Sequence, residues 1–323
     1  MKKIKTIILV LIFMCLIGCS SKHNLNEYTK SINYFDTDIN LKIYTHDIDE
    51  ANQIFDGIEE IYSSYSEIVD RDNPDSEISY IYNNKLQNNK IKLSKKMTQL
   101  IEYGINLYTE SNGLLSINTG NLIDTWNDSY LKKELPNQQL LNNIDTTINN
   151  VKINNNMLEN NHNNLSFNQF IRGYTHQLVK AYLEKNHIDY YFVNTSTEVL
   201  AGKNISGNNY VVLLSNPFND GVLKNINMQN KFLVTKSIYH NSYEYDDDMY
   251  SNIVNAKEKK MANGMVSVTV LSDSPDTGDM VANMLFLLNY EDGLKIAKKY
   301  GVEAIWCYYD KNNNEIIKMT DNM

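Results

Sequence analysis

An apolar stretch near the C-terminus, DTGDMVANMLFLL (276–288), contains two polar residues, Asp279 and Asn283, that could bind a metal ion. They are four residues apart, so on a helix their side chains lie on one face, one turn from each other. Carboxylate and amide oxygens are ligands for hard cations such as Mg²⁺. Two simpler interpretations stay open: Asp279 caps the first turn of the helix, and Asn283 is a hydrogen-bonded residue at the edge of the core.

The N-terminus, MKKIKTIILVLIFMCLIGC, has lysines, then an apolar run, then Cys19, which is the order found in export signals. The apolar run is shorter than the roughly 20 residues that span a membrane. LIGC resembles the lipobox of bacterial lipoproteins, which implies cleavage before Cys19 and lipid attachment to it; the alternative is an ordinary Cys beside a signal that is cut elsewhere. We expect a protein lipid-anchored to the outer face of the bacterial cell membrane, with a signal peptide at 1–18, a lipidated tether at 19–30 and one domain at 31–323.

Composition excludes some classes of function. The chain has 30 Lys and Arg against 39 Asp and Glu, a net charge of −9, which argues against a nucleic-acid partner. Of three cysteines, only Cys307 would remain in the mature domain, so a disulfide framework is not expected. Cys307 lies in the apolar run VEAIWCYYD and is predicted to be a core residue.

Hydrophobic spacing predicts strands and helices in irregular order, which indicates a single α+β domain. The pattern predicts one strand over 32–45, a helix over 48–69, and a second helix capped by Ser94. We predict that His176 and His187 are surface residues and that Asp246 to Asp248 form a solvated hairpin tip. The residues predicted to share one core are Ile253, Val254, Val266, Val268, Val270, Leu285 and Leu288.

Three segments together resemble a known family. PDSEISYIYN is similar to the pattern dSeisrlN, and GLLSINTGNLIDTW is similar to GaFDpTvgPLvdlW, with Ser116 in place of Asp. The stretch that ends in GDMVANMLFLL matches a strand followed by aDalaTalf. These segments resemble the ApbE family, which transfers FMN from FAD to a threonine of a target protein. The resemblance implies a T-fold-related α+β domain, FAD as substrate, Mg²⁺ as cofactor and a flavin-accepting protein as partner.

The resemblance also implies particular site residues. Asp279 falls on the family's metal-binding Asp, Asn283 falls on its metal-binding Thr, and the Gln169 carbonyl is expected as a third metal ligand. The sequence does not identify a catalytic residue. The residues expected to bind the flavin nucleotide are Leu115, Ser116, Ser166, Arg172 and Ile253.

Several ligand-loop residues depart from the family pattern. SFNQFIRGY stands where DLGGIAKGY is expected, so Asn168 and Gln169 replace two glycines that would allow close approach to a pyrophosphate. Asn252 stands where the family has His, and Lys259 where it has Gly. Arg172 replaces Lys and could contact a phosphate, although an exposed Arg is the simpler interpretation. Three hypotheses follow: an FAD:protein FMN transferase, a flavin-binding lipoprotein without catalysis, and a surface lipoprotein without flavin.

Overall fold

A computed structural model describes residues 25–84, 90–160, 164–239, 242–246 and 248–323. The predicted cleavage site and Cys19 lie outside these ranges. The helices are α1 (Ile48–Val69), α2 (Glu77–Asn84), α3 (Lys95–Glu110), α4 (Gly120–Leu131), α5 (Gln138–Asn143), α6 (Ile171–Lys185), α7 (Pro275–Leu287) and α8 (Tyr290–Tyr300). No helix within these ranges has the length and hydropathy needed to cross a membrane.

Most of the strands lie in the second half of the described chain. Those of the first half are β1 (Asn26–Tyr34), β2 (Thr37–Thr45), β3 (Ile91–Lys92), β4 (Val151–Asn154) and β5 (Met157–Asn160). They are followed by β6 (Tyr191–Asn194), β7 (Glu198–Ala201), β8 (Tyr210–Ser215), β9 (Val222–Met228), β10 (Lys231–Ser237), β11 (Ser242–Tyr245) and β12 (Asp248–Ser251). The last are β13 (Val254–Asn255), β14 (Lys260–Met261), β15 (Ser267–Ser272), β16 (Glu303–Tyr309) and β17 (Glu315–Met319).

The main sheet has the strand order β1-β2-β6-β7-β10-β15-β16-β17, and every neighbouring pair is antiparallel. Residues alternate between its two faces. On β10, Phe232 and Val234 belong to the large core that the sheet shares with α1, α6 and α7, whereas Leu233 belongs to a second cluster under the β8–β9 hairpin. The sheet therefore has a helix-covered face and a hairpin-covered face.

Two predicted elements agree closely with the structure. The helix predicted over 48–69 is α1, which begins after Asp47, whose side chain accepts a hydrogen bond from the Glu50 amide. Its buried residues recur at helical spacing, as an amphipathic helix requires. Ser94 likewise caps α3 by accepting from the Met97 amide. The predicted α+β class is confirmed.

The strand predicted over 32–45 is wrong in extent, because the structure has a hairpin there. β1 begins at Asn26, inside the stretch predicted as a tether, and pairs with β2 through a turn at Phe35 and Asp36. Both turn residues have positive φ, 55° and 56°, which is the geometry that two-residue hairpins prefer. Glycine or asparagine usually supplies it, so the turn carried no sequence signal.

Three positions in or beside the core also differ from the predictions. Leu288 ends α7 and is only half-buried, and Val254 belongs to a small separate cluster with Trp126. His176 is buried rather than exposed, because it shares the inward face of α6 with Val179 and Leu183. The other predicted core residues do share the large core, Cys307 is buried as predicted, and Asp246 and Asp248 are exposed beside the β11–β12 turn.

Candidate functional site

A cavity of about 540 Å³ opens beside the first turn of α6 and the end of β10. Its more buried lining includes Gln169, Arg172, Lys236 and Asn283. Exposed lining residues include the carboxylates Asp36, Asp70 and Asp72. Its volume is within the range of sites that bind small molecules.

The most buried ion pair at this site joins a strand to a helix. Lys236 on β10 places its Nζ 2.5 Å from Oδ1 of Asp279 on α7, and the two side chains are 9% and 2% exposed. Lys236 lies on the same face of β10 as Phe232 and Val234, so its side chain points into the helix-covered core. Sequence reasoning missed it. A lysine at an inward strand position was the available signal, because a buried ammonium requires a partner.

Asp279 is not the cap of its helix. α7 begins after Ser274, and Oδ1 of Asp276 accepts the hydrogen bond from the Thr277 amide at 2.6 Å. Asp279 is one turn further along, where it faces α6 and β10. The interpretation of Asp279 as a first-turn cap is therefore wrong.

Asn283 holds two main-chain carbonyls together. Its Nδ2 donates to the carbonyl oxygens of Gln169 and Asp279, each at 2.8 Å. The Gln169 side chain in turn donates from Nε2 to the carbonyl of Val254 at 2.8 Å. The structure thus brings Gln169, Asp279 and Asn283 together, as the sequence predicted for a metal site. Their metal-binding role stays a prediction.

Two arginines of the cavity also have carboxylate partners. Nε of Arg172 lies 3.1 Å from Oε1 of Glu198, whose side chain is fully buried on β7. Arg71 makes two 2.9 Å hydrogen bonds from Nη2 to Asp124. Sequence reasoning missed Arg71, which lies in the turn before α2. These carboxylates fix the guanidinium groups and reduce the net positive charge at the cavity.

Close packing of α6 on α7 depends on Gly173. A Cβ atom built on Gly173 would lie 2.3 Å from Cβ of Asp279, closer than real side-chain contacts allow. The missing side chain therefore lets the two helices approach. That approach helps to position Asp279 against Lys236.

The remaining predicted flavin-binding residues divide into two groups. Ile253 lines the cavity, whereas Leu115, Ser116 and Ser166 are buried and are not among its lining residues in the described chain. Ser116 donates from its hydroxyl to the carbonyl of Thr146 at 2.7 Å, which ties two loops together. Roles of these residues in flavin binding stay predictions.

Tyr62 and His176 form a buried aromatic pair near Glu198. The rings of Tyr62 and His176 meet edge to face at 5.7 Å. Burial raises the pKa of the Tyr62 hydroxyl far above its ordinary value, and the nearby charge of Glu198 adds to the effect. Tyr62 is therefore neutral in the folded protein and is not a ready proton acceptor.

Comparison with known proteins decides the family. The family model described as the ApbE family matches residues 35–306, most of the chain. The chain belongs to the ApbE family. A Vibrio cholerae protein named FAD:protein FMN transferase is 26% identical over 234 residues, covering 69% of this chain and 70% of that protein.

Solved structures of ApbE proteins show the same fold. The ApbE protein from Thermotoga maritima has a TM-score of 0.80 at 16% identity, with 92% of this chain and 98% of that chain covered. The apo form of the Pseudomonas stutzeri flavinyl transferase ApbE has a TM-score of 0.79 at 18% identity, with 92% and 95% covered. The fold expected from the sequence segments is therefore confirmed.

Within this ApbE-family domain, the cluster around Asp279 does not fit a divalent ion. Its single carboxylate already contacts the Lys236 ammonium, and the Gln169 carbonyl accepts an N–H of Asn283. Lys259, by contrast, fits its family position: its φ of 57° is a conformation that glycine adopts easily.

Proposed function

We propose that this protein is an FAD:protein FMN transferase that binds FAD in the 540 Å³ cavity. The observation that carries the proposal is the meeting of Arg172 and Lys236 at one cavity of an ApbE-family domain. A guanidinium and an ammonium are groups that bind phosphate oxygens. FAD contains a diphosphate, and the V. cholerae relative is named for this reaction.

The proposed reaction is a phosphoryl transfer without oxidation or reduction. A threonine hydroxyl oxygen of the acceptor protein attacks the phosphorus on the FMN side of the diphosphate. The P–O bond to AMP breaks, AMP leaves with the bonding electrons, and the hydroxyl proton passes to solvent. Arg172 and Lys236 would orient the diphosphate and stabilise the negative charge that develops on AMP.

The resemblance also implies Mg²⁺ at Asp279, Asn283 and the Gln169 carbonyl. Because these residues do not fit a divalent ion, no step of the proposed reaction passes through one. The acceptor threonine rests on the family resemblance alone.

One observation favours a second candidate, a flavin-binding protein without transfer activity. Asn168 and Gln169 line the cavity where the family pattern has two glycines, and Asn252 lines it where the pattern has His. Added side chains reduce the space near a diphosphate. A bound FAD that is never cleaved would be the result.

Covalent flavin separates the two candidates. Full-length protein in detergent is mixed with FAD and a membrane fraction of its source organism. Covalently bound flavin is detected by its fluorescence on a denaturing gel, and released AMP is measured by chromatography. Transfer predicts a fluorescent band and release of AMP. FAD binding without either product supports the second candidate, and absence of FAD binding contradicts both.

A matched pair of variants on α6 tests the cavity itself. Arg172→Gln removes a charged group of the cavity and should weaken FAD binding by about tenfold or more. Lys180→Gln, which removes a lysine paired with Glu184 on the same helix, should leave the affinity unchanged. Equal FAD affinity in both variants would place the flavin elsewhere.

The lipid anchor is a separate part of the proposal. The order of lysines, apolar run and LIGC supports cleavage before Cys19 and attachment to the outer face of the cell membrane. Cys19→Ala should release the protein from membranes or leave it unprocessed. Cys15→Ala, within the apolar run, is the control and should change neither size nor location; an unchanged Cys19→Ala protein would contradict the anchor.

A further inference from the structure

We propose that the Lys236 ammonium is the resident cation of this site and takes the place of a divalent metal ion. Its Nζ contacts Oδ1 of Asp279 at 2.5 Å, and both side chains are buried between β10, α6 and α7. Asp279 is the carboxylate that the family resemblance assigns to a metal. In this chain the carboxylate is neutralised by a side chain instead.

The orientation of the Asn283 amide supports this assignment. Both neighbours of its Nδ2, the main-chain oxygens of Gln169 and Asp279, can only accept hydrogen bonds, so the amide must present its N–H groups to them. One of the two lone pairs of the Gln169 carbonyl thereby accepts a hydrogen bond. Oδ1 of Asn283 and Oε1 of Gln169 are buried and, like Oδ1 of Asp279, have no hydrogen-bond partner in the described part of the chain. The contact of Asp279 with Lys236 is therefore an ion pair rather than an aligned hydrogen bond.

Charge makes the ammonium and a divalent ion mutually exclusive here. Mg²⁺ binds carboxylate oxygens at about 2.0–2.1 Å in octahedral geometry. Bound to Asp279 in that way, it would lie within a few ångströms of the Lys236 ammonium, and like charges in a buried site repel strongly. Either Lys236 moves out or the metal does not bind.

Lys236 is also placed to contact a ligand. It lines the cavity, and an ammonium has three N–H donors, more than its contact with Asp279 can use. The others can meet an anionic group such as a diphosphate. This part of the inference rests on the proposed function, because FAD supplies the diphosphate; the exclusion of metal does not.

Metal binding without any flavin is the direct test. Full-length protein in detergent is titrated with Mn²⁺, which takes the same oxygen ligands as Mg²⁺ and is followed by electron paramagnetic resonance. Wild type should show no Mn²⁺ site that depends on Asp279. Lys236→Ala should gain one saturable site, with Asp279, Asn283 and Gln169 as the available oxygen ligands.

Two controls make the gain specific. Lys231→Ala removes a lysine of the same strand that pairs with the exposed Asp273, and it should bind no more Mn²⁺ than wild type. The double variant Lys236→Ala with Asp279→Asn should lose the gained site. At a hundredfold excess of Mn²⁺ over Kd, the melting temperature of Lys236→Ala should rise by roughly 5 °C relative to its metal-free form.

Wild-type measurements decide the matter even if Lys236→Ala does not fold. The affinity of wild type for FAD should be the same in EDTA and in Mg²⁺. An Asp279-dependent Mn²⁺ site in wild type, a folded Lys236→Ala without a gained site, or FAD binding strengthened about tenfold by Mg²⁺ would each overturn the proposal. If FAD binds under neither condition, the proposed function fails while the Mn²⁺ titration still tests Lys236.

Discussion

The two faces of the main sheet bury different chemistry. Among the residues that the structure describes, the buried Asp, Glu, Lys and Arg side chains are Glu198, Lys236 and Asp279, and all three lie on the helix-covered side. Glu198 lies opposite Val234 in the β7–β10 register and so shares its face. The cluster under the β8–β9 hairpin contains aliphatic and aromatic residues with Cys307.

This difference shows that the helix-covered face contains buried charges that are unfavourable for stability. Burial of a charge is unfavourable unless it is paired, and an apolar pair of similar volume is often at least as stable. The hairpin-covered face has the apolar composition that is usual for a protein core. On the helix-covered face, Lys236 lines the 540 Å³ cavity, and Asp279 and Glu198 pair with the lining residues Lys236 and Arg172. This placement indicates that the charges are kept for a ligand rather than for stability.

The largest expected effect comes from removing one charge of the buried pair. Lys236→Ala leaves Asp279 buried without its ammonium and should lower the free energy of unfolding by about 3–5 kcal/mol. Lys231→Ala also removes a lysine from β10, but at an exposed end of the strand, where the partner Asp273 is 82% exposed. It should lower the free energy of unfolding by about 1 kcal/mol or less. Urea unfolding of both variants measures the difference.

A paired replacement sharpens this result. Lys236→Met with Asp279→Leu removes both charges and should recover much of the stability lost by Lys236→Ala. The same double variant should bind FAD more weakly than wild type. Full FAD affinity in it would mean that the pair has only a structural role.

A second prediction concerns the helix that carries Asp279. Leu285 is completely buried and Leu288 is half-buried at the end of α7, although the sequence predicts both as core. Leu285→Ala should lower the free energy of unfolding by about 2–5 kcal/mol. Leu288→Ala is the control, with an expected loss below about 2 kcal/mol, because part of its side chain already contacts water. Similar losses would contradict the different burial of the two residues.

A third prediction tests the contact between α6 and α7. Gly173→Ala places a methyl group 2.3 Å from Cβ of Asp279, so the helices must separate, at a cost of about 1–3 kcal/mol. Gly264→Ala meets no atom within 4 Å and serves as the control. Thermal unfolding compares them, and a fall in FAD affinity for Gly173→Ala alone would show that the contact positions the site.

Local patterns predicted the helices better than the site. α1 and Ser94 are determined by neighbouring residues, so spacing and capping were enough to find them. Lys236 meets Asp279 only because β10 packs on α7, and that contact is not encoded in either segment alone. The family resemblance indicated Asp279, Asn283 and Gln169 but not the lysine that now contacts the carboxylate.

The smallest expected effect concerns the hairpin-covered face. Burial raises the pKa of the Cys307 thiol from 9.0 to about 11. A raised pKa means that the folded state holds the proton more tightly, so this contribution to stability is complete below pH 9 and is lost as the pH rises to about 11. At pH 8, iodoacetamide should therefore modify the Cys307 peptide slowly in the native protein and rapidly in urea.

Cys307→Ala is the control for the pH dependence of stability and should lose less stability than wild type between pH 9 and 11. Rapid labelling of the native protein would mean that the β8–β9 hairpin opens and admits water. The hairpin-covered face would then not be a closed apolar core, and the contrast with the helix-covered face would be contradicted.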